Sequence, residues 1–290
     1  MKLGVVFPQT EIGSDSGAIR EFAQAAEDLG YNQILAYDHV LGADTTDRPD
    51  WKGVYTMHSA FHEPFVLFGY LAGLTKEITL ATGIIILPQR QTALVAKQAA
   101  EVDVLSNGRL RMGIGLGWNR LEYEALGEDF HTRGRRVEEQ VQVLRALWTQ
   151  ESVTFEGEWD TIIGAGINPL PVQRPIPIWM GGNADAVIRR VAQTSDGWIA
   201  PIKPDAEGRN RVEEMYALAG EVGRAPSAIG IEGRTSIKDG TEDDWATSVA
   251  EWHDLGATHL DVSTMGAGLE TPEQHIEAIR HFKSVADALK

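Results

Sequence analysis

The 290-residue chain reads as an α/β protein folded into a closed (β/α)8 barrel, an expectation carried by three observations. Short apolar runs alternate with segments of helical period along the whole chain, as parallel strands covered by helices require. Eight strand–helix repeats can be traced. No linker or composition break divides them, so residues 1–290 are read as one domain and a doubly wound sheet with a second domain is the weaker reading.

Leu3–Phe7 is the first apolar run, stopped by Pro8, and the helical period of Gly17–Leu29 follows until Gly30 ends it. Gln33–Tyr37 repeats the strand pattern and runs into Asp38-His39. Residues 42–62 mix charges, Trp51 and Gly53 without a period, and are expected as a long loop inserted after strand 2. Glu63-Pro64 opens a helix to Leu74, Pro being suited to a first turn. Ile78–Ile86 is a strand apolar on both faces, followed by a helix over Thr92–Leu105 closed by Asn107-Gly108.

Arg109–Ile114 is the fourth strand, leading through Gly115-Leu116-Gly117-Trp118 into a broken helical region that ends near Trp148. Residues 149–175, with Val153-Thr154-Phe155, Gly157 and the Pro-rich stretch Pro169 to Pro177, predict a hairpin and an extended excursion inserted before strand 5. Both insertions are expected as lids. The rhythm resumes with strands at Ile178–Met180, Gly197–Ala200, Ile229–Ile237 and His259–Val262, and helices at Ala184–Gln193, Arg209–Val222, Asp243–Leu255 and Thr271–Leu289.

The 42 acidic against 26 basic side chains give a net charge of −16, which repels nucleic acid and anionic membrane surfaces. With no cysteine, disulfides, thiolate catalysis and Cys-ligated metal centres are excluded, and redox chemistry has to come from a cofactor. The apolar run at the N-terminus is too short for a signal peptide, and no stretch approaches the roughly 18 apolar residues of a membrane span, so a cytoplasmic protein is expected.

In a parallel barrel the functional groups sit at the carboxyl ends of the strands. Those ends carry Gln9, Asp38-His39, Gln89-Arg90, Gly115 to Asn119, Gly181-Gly182-Asn183, Lys203, Arg234 and Ser263-Thr264. His39 is the acid/base candidate, since imidazole titrates near neutrality; the alternative is a histidine bonded to a neighbouring strand end for structural reasons. Gly181-Gly182-Asn183, between a strand and a helix, suits a phosphate cradle or a tight turn.

Gly113-x-Gly115-x-Gly117 lacks the final spacing of a dinucleotide fingerprint. His58, His62 and Glu63 have metal-like spacing but lie in the loop without a third ligand, so no metal is expected. Arg133-Gly134-Arg135-Arg136 opens a helix carrying Glu138-Glu139, which suits salt bridging on the outer face.

Taken together, Tyr37-Asp38-His39, Ala81 to Pro88, Ala96 to Asp103, Ser106-Asn107-Gly108-Arg109 with Gly113 to Trp118, Pro177 to Gly182 and Ser195 to Trp198 resemble the bacterial-luciferase-like family, in the flavour of its deazaflavin-dependent branch. The resemblance spans essentially the whole chain. It implies a TIM barrel binding FMN or coenzyme F420, an 8-hydroxy-5-deazaflavin, at the strands' carboxyl ends. The phosphate would lie near Gly181-Gly182-Asn183 and Gly117-Trp118, with Asp38 and Gly115 also on the cofactor side. A non-proline cis peptide in the third strand would set Ile84-Ile85 against the ring, and His39 matches the active-site histidine of several members.

Two departures matter. Luciferases proper have an Arg where this sequence has Leu116, and their reactive-thiol position is Gly115. The deazaflavin sugar-phosphate dehydrogenases have a catalytic Glu where this sequence has Trp118, leaving Glu122, one turn on, as the substitute acid.

The expected function is therefore an oxidoreductase exchanging a hydride between coenzyme F420 and a small organic substrate. A two-component monooxygenase using reduced FMN from a separate reductase and oxygen is the alternative, and a non-catalytic flavin-binding barrel is the third. Trp51 and Trp159 are the expected apolar lining for the substrate, Arg90 or Lys97 would meet an acidic cofactor tail, and family habit implies a homodimer.

Overall fold

The structure, a computed structural model, describes residues 1–46, 48–238 and 240–289. The chain begins with β1 (Lys2–Val6), α1 (Ser16–Asp28), β2 (Gln33–Ala36) and α2 (Pro64–Ala72). The third barrel strand is split into β3 (Thr79–Thr82) and β4 (Ile85–Ile86), and α3 (Thr92–Leu105) and β5 (Leu110–Gly115) follow. Two helices, α4 (Arg120–Ala125) and α5 (Arg133–Thr149), precede the hairpin β6 (Val153–Glu156) and β7 (Thr161–Ala165). The chain closes with β8 (Ile178–Gly181), α6 (Asp185–Thr194), β9 (Gly197–Ile199), α7 (Ala206–Glu221), β10 (Gly230–Ser236), α8 (Glu242–Asp254), β11 (His259–Ser263) and α9 (Pro272–Asp287).

Strand order is β3-β2-β1-β11-β10-β9-β8-β5-β4, and β3 also pairs with β5, which closes an eight-stranded parallel barrel. The expected continuous strand Ile78–Ile86 is interrupted, because the Gly83–Ile84 peptide is cis. A β-carbon at Gly83 would collide with the Leu35 side chain, so the glycine lets that break lie against the neighbouring strand.

Helix starts follow their capping residues: Asp15, Glu63, Asn119 and Asp205 accept from N–H groups of the first turn, and Thr241 and Thr271 form capping boxes with Asp244 and Gln274. The main core lies between the barrel wall and the helices, with Phe22, Phe68, Trp148, Trp198, Trp252 and Phe282 essentially inaccessible. Inside the barrel a smaller apolar layer of Val6, Leu35 and Ala81 packs under Tyr37 and Met265.

Below that layer the barrel floor is polar. Gln33 Nε2 donates to Asp261 Oδ1 at 2.6 Å and Glu232 Oε2 at 3.1 Å, Arg111 pairs with Glu232, and the Arg111 guanidinium lies 4.1 Å from the Trp179 ring. Burial works to raise the Glu232 carboxyl, but Arg111 holds it below the usual range; burial and the Glu232 charge hold Asp261 well above it.

Several of the quoted sequence motifs turn out to serve this end of the molecule. Arg109 donates to Ala72 O, Thr75 O and Ile78 O, and Asp103 accepts from Gln173 N and Nε2, stitching strand-entry turns together. Among the described residues no helix is long and apolar enough to cross a membrane.

Candidate active site

At the carboxyl ends of the barrel strands a cavity of about 530 Å³ opens. Its walls come from β2 (Tyr37, Asp38, His39), the β3–β4 break (Gly83, Ile84, Ile86), the β5 turn (Leu116, Gly117, Trp118), the β8 turn (Gly181, Gly182, Asn183), β9 and its exit (Ile199, Pro201), and Arg234 on β10. Tyr55 reaches it from the 42–62 loop.

His39 is held from behind by a carboxylate. Its Nδ1 lies 3.3 and 3.4 Å from the two oxygens of Glu122, and Glu122 Oε1 also accepts from Val40 N at 2.7 Å and Leu41 N at 3.2 Å. Burial works to raise the Glu122 carboxyl, but the His39 hydrogen bond and charge with the two backbone donors hold it below the usual carboxylate range. Glu122 thus stays ionised at neutral pH and fixes the imidazole, leaving Nε2 as the ring nitrogen without that partner. Tyr55, Phe61 and Trp118 surround the imidazole with centroids at 4.9, 4.8 and 5.9 Å.

Asp38, buried beside it, accepts from Arg90 Nη2 at 2.8 Å and from Ile86 N at 3.0 Å. Burial raises its carboxyl, against the pull of Arg90 and of the Ile86 N–H. Both oxygens are engaged, so Asp38 fixes β4 as part of the cavity wall. Arg90 also pairs with Glu63 at 3.0 Å, and Lys97 donates to Glu101 and Asn168 O, so each of these cations already has a partner.

Starting at β4, next to His39's strand, the wall that runs over β5 and β8 is lined with glycines. A β-carbon at Gly115 would strike Ile84 Cδ1, one at Gly181 would lie 3.0 Å from Ile84 Cγ2, and one at Gly117, whose φ is +65°, would lie 2.7 Å from Ile86 Cγ2. These glycines let Ile84 lie flat against β5 and β8, giving a smooth apolar face suited to a planar ring. Next to it, Gly182 with φ +125° turns the chain into α6, whose first turn has no side-chain cap. Its free N–H groups and the bare backbone of Gly181-Gly182 suit a phosphate. Arg211 donates to Asn183 O and Oδ1 and so fixes the outer side of this turn.

Of the residues singled out in the sequence, the cavity brings together His39, Asp38, Ile84, Gly117, Trp118, Gly181, Gly182 and Asn183. Ile85 faces the core and Gly115 lies behind Ile84, so neither is on the cavity surface. Trp51 packs at a tilt against Trp118, with ring centroids 5.8 Å apart, and donates to Tyr55 O, backing the lining without joining it.

Trp159 stands away from the cavity. Its hairpin turn is held on the flank by Glu139, which accepts from the N–H groups of residues 158, 159 and 160, and Arg135 lies over its ring at 5.2 Å. No residue of 149–175 is among those lining the cavity, whereas the 42–62 loop folds Tyr55 and Phe61 onto His39. Arg135 pairs with Glu158 on the exterior, as the basic run suggested, whereas the Arg136–Glu128 pair is largely buried. Among the described residues no cluster of metal-binding side chains occurs.

Sequence reasoning gave no role to Tyr55, Phe61 or Arg234. Arg234 ends a recognisable strand, but nothing in an aperiodic loop signals which of its aromatic residues will fold back onto His39.

Residues 1–281 match the family described as luciferase-like monooxygenase. An uncharacterised protein of Mycobacterium tuberculosis is 30% identical over 287 residues, covering 95% of this chain and 96% of its own. An FMNH(2)-dependent dimethylsulfone monooxygenase of Pseudomonas fluorescens is 32% identical over 222 residues, 74% of this chain and 57% of that protein. Among solved structures, an F420-dependent secondary alcohol dehydrogenase in complex with an F420-acetone adduct superimposes with a TM-score of 0.80 at 17% identity, covering 100% of this chain and 99% of the other. With the barrel closed, the strand-end cavity built and the match running almost from end to end, this chain belongs to the luciferase-like monooxygenase family of enzymes.

Proposed function

We propose that this enzyme is an oxidoreductase that exchanges a hydride between coenzyme F420 and a small organic substrate, with His39 moving the accompanying proton. The observation that carries the reading is the His39–Glu122 pair, set at the cavity wall beside a smooth Ile84 face. The bound deazaflavin ring supplies two-electron hydride chemistry. Ile84, flattened against Gly115 and Gly181, would support the ring, and Gly181-Gly182-Asn183 with the start of α6 would hold its phosphate. Glu122 orients the imidazole and balances its charge when protonated, so that Nε2 gives or takes a proton at the substrate. Tyr55, Phe61 and Trp118 keep water from the imidazole. Leu116 offers no cation to a phosphate, which counts against the luciferase manner of holding FMN.

A second reading takes the same cavity as the site of reduced FMN delivered by a separate reductase, with oxygen as co-substrate. The likeness to the dimethylsulfone monooxygenase favours it. Parallel fluorescence titrations with FMN and with F420 in one buffer, followed by turnover under nitrogen, separate the two. Selective F420 binding and oxygen-independent turnover are expected; selective FMN binding with turnover only in oxygen overturns the first reading in favour of the second.

A further inference from the structure

Three polar donors of the cavity wall, those of Arg234, Tyr37 and Tyr55, have no acceptor among the described residues. Among the described residues the Arg234 side chain has no ion pair or hydrogen bond; its guanidinium carbon lies 4.9 Å from the Tyr37 ring. The phenol O–H groups of Tyr37 and Tyr55, both on the cavity surface, likewise have no acceptor among the described residues. Every other charged side chain lining the cavity is matched: Asp38 by Arg90, and His39 by Glu122.

The phenols do not neutralise the guanidinium. Burial pushes Tyr37 up to about 12, against the pull of Arg234, and raises Tyr55 too, so both remain protonated donors at neutral pH. Glu232, two residues back on the same face of β10, is already paired with Arg111. In a chain of net charge −16, a cation at a cavity wall with no counter-ion among the described residues is a specific placement. A guanidinium whose plane is steadied on an aromatic ring offers a fork of N–H groups matched to carboxylate, sulfonate or phosphate oxygens.

Barrel closure decides which side of the cavity this group serves. In the order β3/β4, β5, β8, β9, β10, β11, β1, β2, strand β10 stands diametrically across from β3/β4, so Arg234 faces the Ile84 wall. We infer that Arg234, with the Tyr37 and Tyr55 hydroxyls, is an oxyanion receptor that selects a small organic acid as substrate and holds it over the open face of the ring. The substrate side is fixed by the ring position proposed above and rests on that reading. The receptor itself rests only on the side chains present.

The test is calorimetric titration of the protein, free of any ring ligand and at constant ionic strength, with hexanesulfonate, hexanoate and 1-hexanol. Either anion is expected to bind at least about tenfold more tightly than the alcohol, as a charged hydrogen bond implies. Arg234→Met should erase that preference, Arg234→Lys should keep part of it, and neither should move the affinity for FMN or F420 by more than about twofold. Equal binding of anion and alcohol, or a preference that survives Arg234→Met, overturns the inference. A parallel loss of ring affinity in Arg234→Met overturns the substrate-side assignment, and failure of the unaltered protein to bind either ring removes the proposed function while leaving the anion preference measurable.

Discussion

Glu232 and Arg234 stand two residues apart on β10, with side chains on the same face of the strand. Glu232 is 1% exposed and tied to Arg111 and Gln33, whereas Arg234 opens into the cavity and has no counter-ion among the described residues. Strand β2 repeats the contrast, since Gln33 belongs to the sealed floor and Asp38-His39 follow at its open end. Residue type does not separate the two regions; height along the strand does. At the floor Arg111 and Glu232 match each other's charge inside the protein, while at the mouth Arg234 and the Tyr37 and Tyr55 hydroxyls have no partner among the described residues.

That contrast breaks if the floor tolerates loss of a charge. Arg111→Met leaves Glu232 buried without its cation, and a destabilisation of about 3–5 kcal/mol is expected from the urea midpoint. A loss below about 1 kcal/mol would place this pair with surface ion pairs. At the mouth the effect should move to rate. His39→Gln is expected to lower turnover by about 10²–10⁴-fold while the urea midpoint stays near that of the unaltered protein. A large stability loss with little change in turnover would make His39 a structural residue.

Glu122→Gln sharpens the comparison, because it keeps an oxygen for the Val40 and Leu41 N–H groups but removes the charge behind the imidazole. A smaller rate loss than in His39→Gln is expected, and the double variant should be no slower than His39→Gln alone. Additive losses would mean that the two residues act separately.

The smallest effect concerns His259, whose ring packs on Trp179 at 5.0 Å near the floor. Burial, then the nearby Arg111 charge, lowers its pKa from 6.5 to about 3. The unfolded chain therefore takes up a proton before the folded one does, so the stability from neutral His259 is complete above about pH 6.5 and is lost as pH falls toward 3. His259→Gln should flatten that part of a Tm-against-pH curve. An unchanged slope would mean that the folded protein accepts the proton freely.

The barrel was legible because its signal is local. Thr92–Leu105 has the boundaries its period predicts, and seven strands fall within two residues of their apolar runs. The third strand, Ile78–Ile86, reads from composition as one unbroken run, and only the family resemblance anticipated its break at Gly83–Ile84. The site was half legible. Strand ends announce His39, Gly181-Gly182 and Arg234, but pairing His39 with Glu122 spans 83 positions and depends on how α4 packs against the β2 exit. Trp51 was expected at the cavity because loops at barrel mouths reach inward, and Trp159 for the same reason. Glu139 instead anchors the second loop to α5, which keeps Trp159 on the flank.

One small triad joins parts of the molecule otherwise separate in sequence. Glu63 ends the 42–62 loop and caps α2, Arg90 links it to Asp38, and Asp38 holds the strand that carries the cavity wall. A lineage that remodels the loop to admit a new substrate is free to change residues between its anchors, but drift at Arg90 strands the buried Asp38 carboxylate beneath the cavity wall, and drift at Asp38 or Glu63 takes a partner from Arg90. These three positions form one unit of inheritance: in an alignment of relatives they should change together or not at all, while the loop between them varies with diet.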